Sequence, residues 1–154
     1  MTDTHALYRR LAAVPAGRRV FSALFARRAP YFRSVRPRVR DLRPHHAEVL
    51  VPDRRAVRNH LGTVHAIAVC NGLEAAMGLL AEATTPTGHR WIPRGMDVRY
   101  VAKAEGDQRC LAETDERDWA VPGDVPVRVR AERVDGTVTV EGTITIYVSE
   151  RPPR

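Results

Sequence analysis

Residues 64–83 form the longest apolar run in the chain, and only His65, Asn71, Glu74 and Glu82 break it with strongly polar side chains. A run of this length, stopped by Thr84-Thr85-Pro86-Thr87-Gly88, predicts one long helix. A helix so apolar needs cover on nearly every side, from a sheet of its own chain or a partner's. Upstream, Leu7, Leu11 and Val14 share one face, Pro15-Ala16-Gly17 interrupts, and Val20, Phe21, Leu24 and Phe25 resume the pattern. One or two amphipathic helices over residues 4–28 follow, closed by Ala29-Pro30.

Between the arm and the long helix the period changes to two. Val35 and Val39, then Ala47, Val49 and Val51, predict strands with a bend at Pro44, and a polar loop over residues 54–63 leads on. After the helix everything reads as strand. Met96, Val98, Tyr100 and Ala102 alternate, Ala104-Glu105-Gly106-Asp107 turns, and residues 110–116 extend again. Valine alternates with arginine from Val125, Asp135-Gly136 signals a hairpin, and residues 137–149 form a β-branched strand. The order predicts an α+β class: a helical arm over residues 1–34, then a domain over 35–150 with an antiparallel sheet around one central helix. Arg151-Pro-Pro-Arg is expected to fray.

Composition narrows the class without changing it. A chain of 154 residues with 44% hydrophobic and 28% charged residues is one domain with a real core. Arginine pairs interrupt the N-terminal apolar positions, which argues against a secretory signal, and no stretch of about 20 uninterrupted apolar residues is present. A cytoplasmic location is therefore expected. Cys70 and Cys110 have no CxxC spacing and read as free thiols of a reducing compartment, with Cys70 as core rather than nucleophile. Residues 1–43 hold eleven arginines against Asp3 and Asp41, a balance of +9 in a chain of net +7, so the rest sums to −2. Only Lys103 among the 25 basic residues is a lysine, a bias read as genome composition. The plainest reading of the basic arm is a solvated helix face; weak contact with anionic membrane or with coenzyme A phosphates is the alternative. Nucleic acid is not expected, because the arm lacks interleaved aromatics and any groove-reading motif.

The chemistry concentrates between Asn59 and Glu74. A carboxylate inside an apolar helix is rarely there unless paired or working, so Glu74 is a candidate general base or nucleophile. Ile67, Asn71 and Glu74 share one helix face by their spacing. The first amides of the helix, near Ala66 and Ile67, lack helical partners and carry the positive end of the dipole, which makes them candidate oxyanion donors. Plainer readings stand beside these. Glu74 could pair with Arg58 or Arg94, His65 could bond only to backbone, Asn59 could cap a turn, and Asn71 could be a bonded core residue. His45-His46 reads as a solvent-facing pair, and His60 with His65 lacks a third ligand, so no metal is expected.

These residues resemble a family. Asn59-x-x-Gly62-Thr63-Val64-His65, with Glu74 nine residues after the histidine, is similar to the motif of the hotdog-fold acyl-CoA thioesterases, N/Q-x-x-G-x-x-H-G-G followed by an acidic residue. Residues 96–106 resemble the strand and turn glycine that follow the helix in that family. With Arg58-Asn59-His60 and Trp91-Ile-Pro-Arg-Gly-Met96, the chain is most similar to an uncharacterised, thioesterase-like branch. The resemblance covers roughly residues 35–149. It implies a hotdog fold, a homodimer or tetramer with sites shared between subunits, and an acyl-CoA or acyl-carrier thioester as substrate. No cofactor is implied beyond the coenzyme A of the substrate. Glu74 would act as base or nucleophile, the Ala66 and Ile67 amides as oxyanion hole, and His65, Asn59 and Asn71 as positioning groups. Arg58, Arg90, Arg94 and Lys103 are the candidates for the coenzyme A nucleotide. One departure stands out: the family's Gly-Gly is Ala66-Ile67 here, adding a Cβ and a branched side chain where the thioester carbonyl approaches. A non-catalytic acyl binder on the same fold is therefore the alternative.

Overall fold

The computed structural model describes residues 3–120 and 122–152. Its centre is the predicted helix, α3 (Ala66–Thr84), starting two residues later than the apolar run because Val64 bridges back to Arg58 and donates its amide to Ala104 O at 2.9 Å. Six strands form one antiparallel sheet: β1 (Arg38–Arg43), β2 (His46–Val51), β3 (His89–Tyr100), β4 (Gln108–Glu113), β5 (Gly123–Glu132) and β6 (Val138–Glu150), in the spatial order β1-β2-β4-β5-β6-β3. The sheet curls around α3 as a hotdog fold. Alternation reads true along β5, where Val125, Val127, Val129 and Ala131 are buried and Arg128 faces outward.

Several strand boundaries differ from the sequence expectation: Val35 caps the Pro30–Ser34 turn before β1, and β4 ends at Glu113, with Glu116–Trp119 a helical turn. β3 begins at His89, seven residues before Met96, and Ala102 is exposed beyond its end. Pro93 hid the early half: a proline breaks strand patterning, and here it sits on an edge strand at a bulge between Pro93 and Gly95. The tail is not wholly loose either. Arg151 donates its amide to Gly88 O and its Nε to His89 O, while Pro153 and Arg154 lie outside the described residues.

The core lies between α3 and the β1-β2-β4-β5 part of the sheet. Leu73, Met77, Leu79 and Leu80 are fully buried there, and each such side chain contributes about 1.5–3 kcal/mol of transfer free energy. α3 has the length and apolarity of a membrane span, and 72% of that window is buried within the protein. The arm, α1 (Asp3–Ala12) and α2 (Gly17–Arg28), shares the core instead of standing apart. Tyr8 and Phe21 meet edge to face inside it, the Tyr8 hydroxyl donates to Arg40 O, and the Ser22 hydroxyl accepts from the Val39 amide. The helical turn Pro30–Ser34 then carries the chain to β1, its Phe32 stacked on Phe25.

Buried Gln108 passed unnoticed in the sequence, and it sets the turn against which α3 starts. Its amide donates to Glu105 O and Gly106 O, and its carbonyl accepts from Thr139 Oγ1 at 2.7 Å. The turn so fixed presents Ala104 O to Val64.

Candidate functional site

Within one chain α3 is not enclosed on every side. Its first half has an open strip comprising exposed Ile67 and partly exposed Cys70 and Glu74. Buried Asn71 borders the strip on the side of the Pro30–Ser34 turn, donating Nδ2 to Ser34 Oγ at 3.3 Å. Cys70 borders it on the side of β3, its Sγ 3.5 Å from the Tyr100 hydroxyl. The strip is therefore the floor of a groove with the arm on one side and β3 on the other.

Glu74 is less buried than an apolar helix suggested, because it faces this groove. Among the described residues it has no hydrogen-bond or ion-pair partner. Neither arginine considered for it is near: Arg58 forks onto Asp53 at 2.7 and 2.9 Å, and Arg94 pairs with Asp124 at 2.9 Å while lying over the Tyr147 ring. Hydrogen bonding from Arg58 holds the Asp53 carboxyl below the usual carboxylate range. Asn71 Oδ1 is buried without a partner. Leaving such an acceptor unmet costs about 1–3 kcal/mol, and it lies beside the strip that holds Glu74.

The helix mouth is built by the preceding loop. Asn59 Oδ1 accepts from the Leu61 and Thr63 amides and its Nδ2 donates to Thr63 Oγ1, so its side chain is fully engaged in the turn carrying Gly62 at φ 79°. His65 caps α3: its amide donates to Val57 O, and its Nδ1 accepts from the Ile67 amide at 3.1 Å. A neutral ring in this role carries its proton on Nε2. Of the two candidate oxyanion donors, Ile67 N–H is thus held by His65, while Ala66 N–H makes no bond among the described residues.

The four basic candidates do not gather in one chain. Lys103 precedes Ala104, which bonds Val64, so it lies beside the helix mouth. Arg90 and Arg94 lie toward the other end of β3, because β3 runs opposite to α3: Trp91 packs by Gly78, and Tyr100 meets Cys70. Arg90 is ten residue steps from Tyr100 along the strand, on the order of 33 Å. Among the described residues no three His, Cys, Asp or Glu side chains gather as metal ligands.

A Domain of unknown function model (DUF4442) matches residues 17–148, nearly the whole chain. The chain belongs to the DUF4442 family. A structural-genomics target is 46% identical and superposes with a TM-score of 0.84 over 96% of this chain and 98% of its own. A protein of unknown function from Pseudomonas aeruginosa, solved as a probable thioesterase, is 19% identical with a TM-score of 0.75 over 90% of this chain and 97% of its own. A Bacillus halodurans protein solved with coenzyme A is 22% identical with a TM-score of 0.60 over 66% of each chain. No curated protein matches in sequence. This DUF4442 chain therefore has the hotdog fold, and proteins solved as thioesterases are among its structural neighbours.

Two groups in the groove escaped the sequence reading. Tyr100 was seen only as a strand residue; hydrogen bonding to Cys70, with some burial, raises its hydroxyl above the ordinary tyrosine range. Cys70 was read as core, and it faces the groove instead. Cys110 is the buried thiol, lying 3.9 Å from Val69 O, and desolvation pushes its pKa strongly up. Titration of the native protein with a thiol reagent is expected to modify Cys70 alone, with Cys110 reacting only after unfolding. A Cys70→Ser variant should show no native thiol.

Proposed function

We propose that this protein hydrolyses acyl-CoA-type thioesters, with Glu74 as general base or nucleophile. The observation that carries this reading is the pairing, on one open helix face, of an unpartnered carboxylate with the unmet Asn71 Oδ1. Asn71 would accept a hydrogen bond from the attacking water or the substrate amide, and the Ala66 N–H would take the developing oxyanion. Ile67 N–H joins it once His65 turns away. A base in this position needs only to draw a proton from water held between it and Asn71 while the thioester carbonyl rests at the helix mouth. Asn59 acts on this chemistry through the loop that sets His65, and Tyr100 with Cys70 lines the way in.

The working form is a homodimer. β3 is an edge strand of twelve residues with Ile92, Met96 and Tyr100 exposed, and a long apolar edge demands cover. β1, the other edge, carries exposed Arg38, Arg40 and Arg43 and is poorly suited to pairing. Antiparallel pairing of two β3 strands centred near their bulges would bring the partner's Arg90 toward this chain's Tyr100 end and leave Arg94 near the two-fold centre. That arrangement supports a substrate site shared between subunits, with Lys103 and the partner's Arg90 around the thioester's carrier.

The test is release of free thiol from a panel of short-, medium- and long-chain acyl-CoA substrates. The rival, an acyl binder without turnover, is favoured by the bulk of Ala66-Ile67 at the helix mouth. It predicts saturable binding and no thiol. Ala66→Gly with Ile67→Gly separates the two: turnover rising about tenfold or more marks a hydrolase throttled by side chains, and unchanged zero turnover marks a binder.

A further inference from the structure

A second cationic centre lies on the arm side of the groove. Arg19 of α2, Arg33, Arg36, Arg38 of β1 and Arg54 converge on a cavity of about 430 Å³ floored by Ser22, Ala26 and Pro52. No carboxylate lines it, and none of the five arginines has an ion-pair partner among the described residues. The middle of the sheet differs, its arginines being matched with acids: Arg109 sits between Glu48 and Glu132, and Arg130 between Glu113 and Glu132. The contrast shows in Arg54. Burial and the charges of Arg36 and Arg38 disfavour its charged form, whereas carboxylates hold Arg58, Arg109 and Arg130 charged. Arg54 Nη2 donates to Ser34 O at 2.9 Å, yet its Nε is buried with no partner. Five guanidinium groups gathered without a counter-charge around an unmet donor form a site suited to an anion.

We propose that this arginine cavity binds the phosphate groups of a phosphate-bearing ligand. Guanidinium forks match the several oxygens of a phosphate, and the cavity is too large for a lone carboxylate. Position suggests one source of that phosphate. Ser34 accepts from Arg54 through its carbonyl and from Asn71 through its hydroxyl, so a single residue separates the cavity from the groove. The nucleotide end of coenzyme A is the source if the thioesterase reading holds, and only that assignment rests on it. An anionic lipid headgroup is the other source of the same chemistry.

The experiment compares the full-length protein with Arg36→Asn/Arg38→Thr, both at exposed positions; Arg36 has φ 49°, which asparagine adopts readily. Calorimetric titrations use sodium pyrophosphate, coenzyme A, dephospho-coenzyme A and pantetheine, and flotation uses phosphatidylglycerol against phosphatidylcholine vesicles. Pyrophosphate should bind the wild type, more weakly as salt rises, and at least tenfold more weakly to the variant. A parallel loss for coenzyme A, with pantetheine unaffected, identifies the nucleotide as source; loss confined to phosphatidylglycerol flotation identifies lipid. If the wild type binds none of the phosphate probes, or the variant binds them all equally well, the proposal is overturned. Thiol release from acyl-pantetheine bypasses the cavity, so a failed thioesterase reading would appear as no thiol with phosphate binding intact.

Discussion

Glu74→Gln is expected to lower thiol release from acyl-CoA by about 10²–10⁴-fold, the range for removing a general base, and by more if the carboxylate is the nucleophile. Glutamine keeps the shape and polarity of the side chain, and Glu74 has no ion pair to lose among the described residues. Thermal stability should therefore stay close to wild type, and acyl-CoA binding should survive. Such a loss of kcat without loss of fold separates chemistry from scaffolding. Unchanged turnover would remove Glu74 from the reaction and with it the hydrolase mechanism proposed above.

A large loss of stability is expected from one methyl group at Gly142. A Cβ built there lies 2.1 Å from Asp97 O and 2.7 Å from Val98 Cα. Both neighbours are backbone atoms of β3, which rotamer changes cannot move. Gly142→Ala must therefore push β3 off β6 along the pairing that joins Val98 to Gly142. Overpacking of this kind costs about 1–3 kcal/mol and sometimes more, and a rigid backbone neighbour favours the upper end. About 3 kcal/mol corresponds to a Tm lower by roughly 6–12 °C for a chain of this size. Because β3 also walls the groove, the variant should lose activity and dimer stability together, measured by thermal unfolding and by light scattering. A Tm within 1–2 °C of wild type, on the order of a surface substitution, would show that β3 is not held so closely.

Much of this architecture was readable before any coordinates, for physical reasons. An almost unbroken apolar run carries α3 and strict alternation carries β5, and Pro15-Ala16-Gly17 marks the break between α1 and α2. The start of β3 was not readable, since Pro93 and the bulge disturb a strand exposed on both sides. The polar members of the helix, Asn71 and Glu74, were visible as misfits in an apolar run. What they face was not: Asn71 meets Ser34 thirty-seven residues away, and Glu74 looks into a groove that only the folded arm and β3 create. The arginine cavity was hidden for the same reason. Its members come from four separate segments, and in sequence they blend into a generally basic arm.

The cap at the mouth of α3 makes the ring of His65 an internal competitor. Ile67 N–H can serve the imidazole or an incoming oxygen, but not both. A cap of this kind is worth about 1 kcal/mol, so a ligand oxygen claiming that amide forfeits roughly fivefold in apparent affinity. Under the proposed hydrolysis, a carboxylate product on the same donor would be displaced by the same ring. The site would thus carry its own eviction device, trading tightness of grip for readiness to empty.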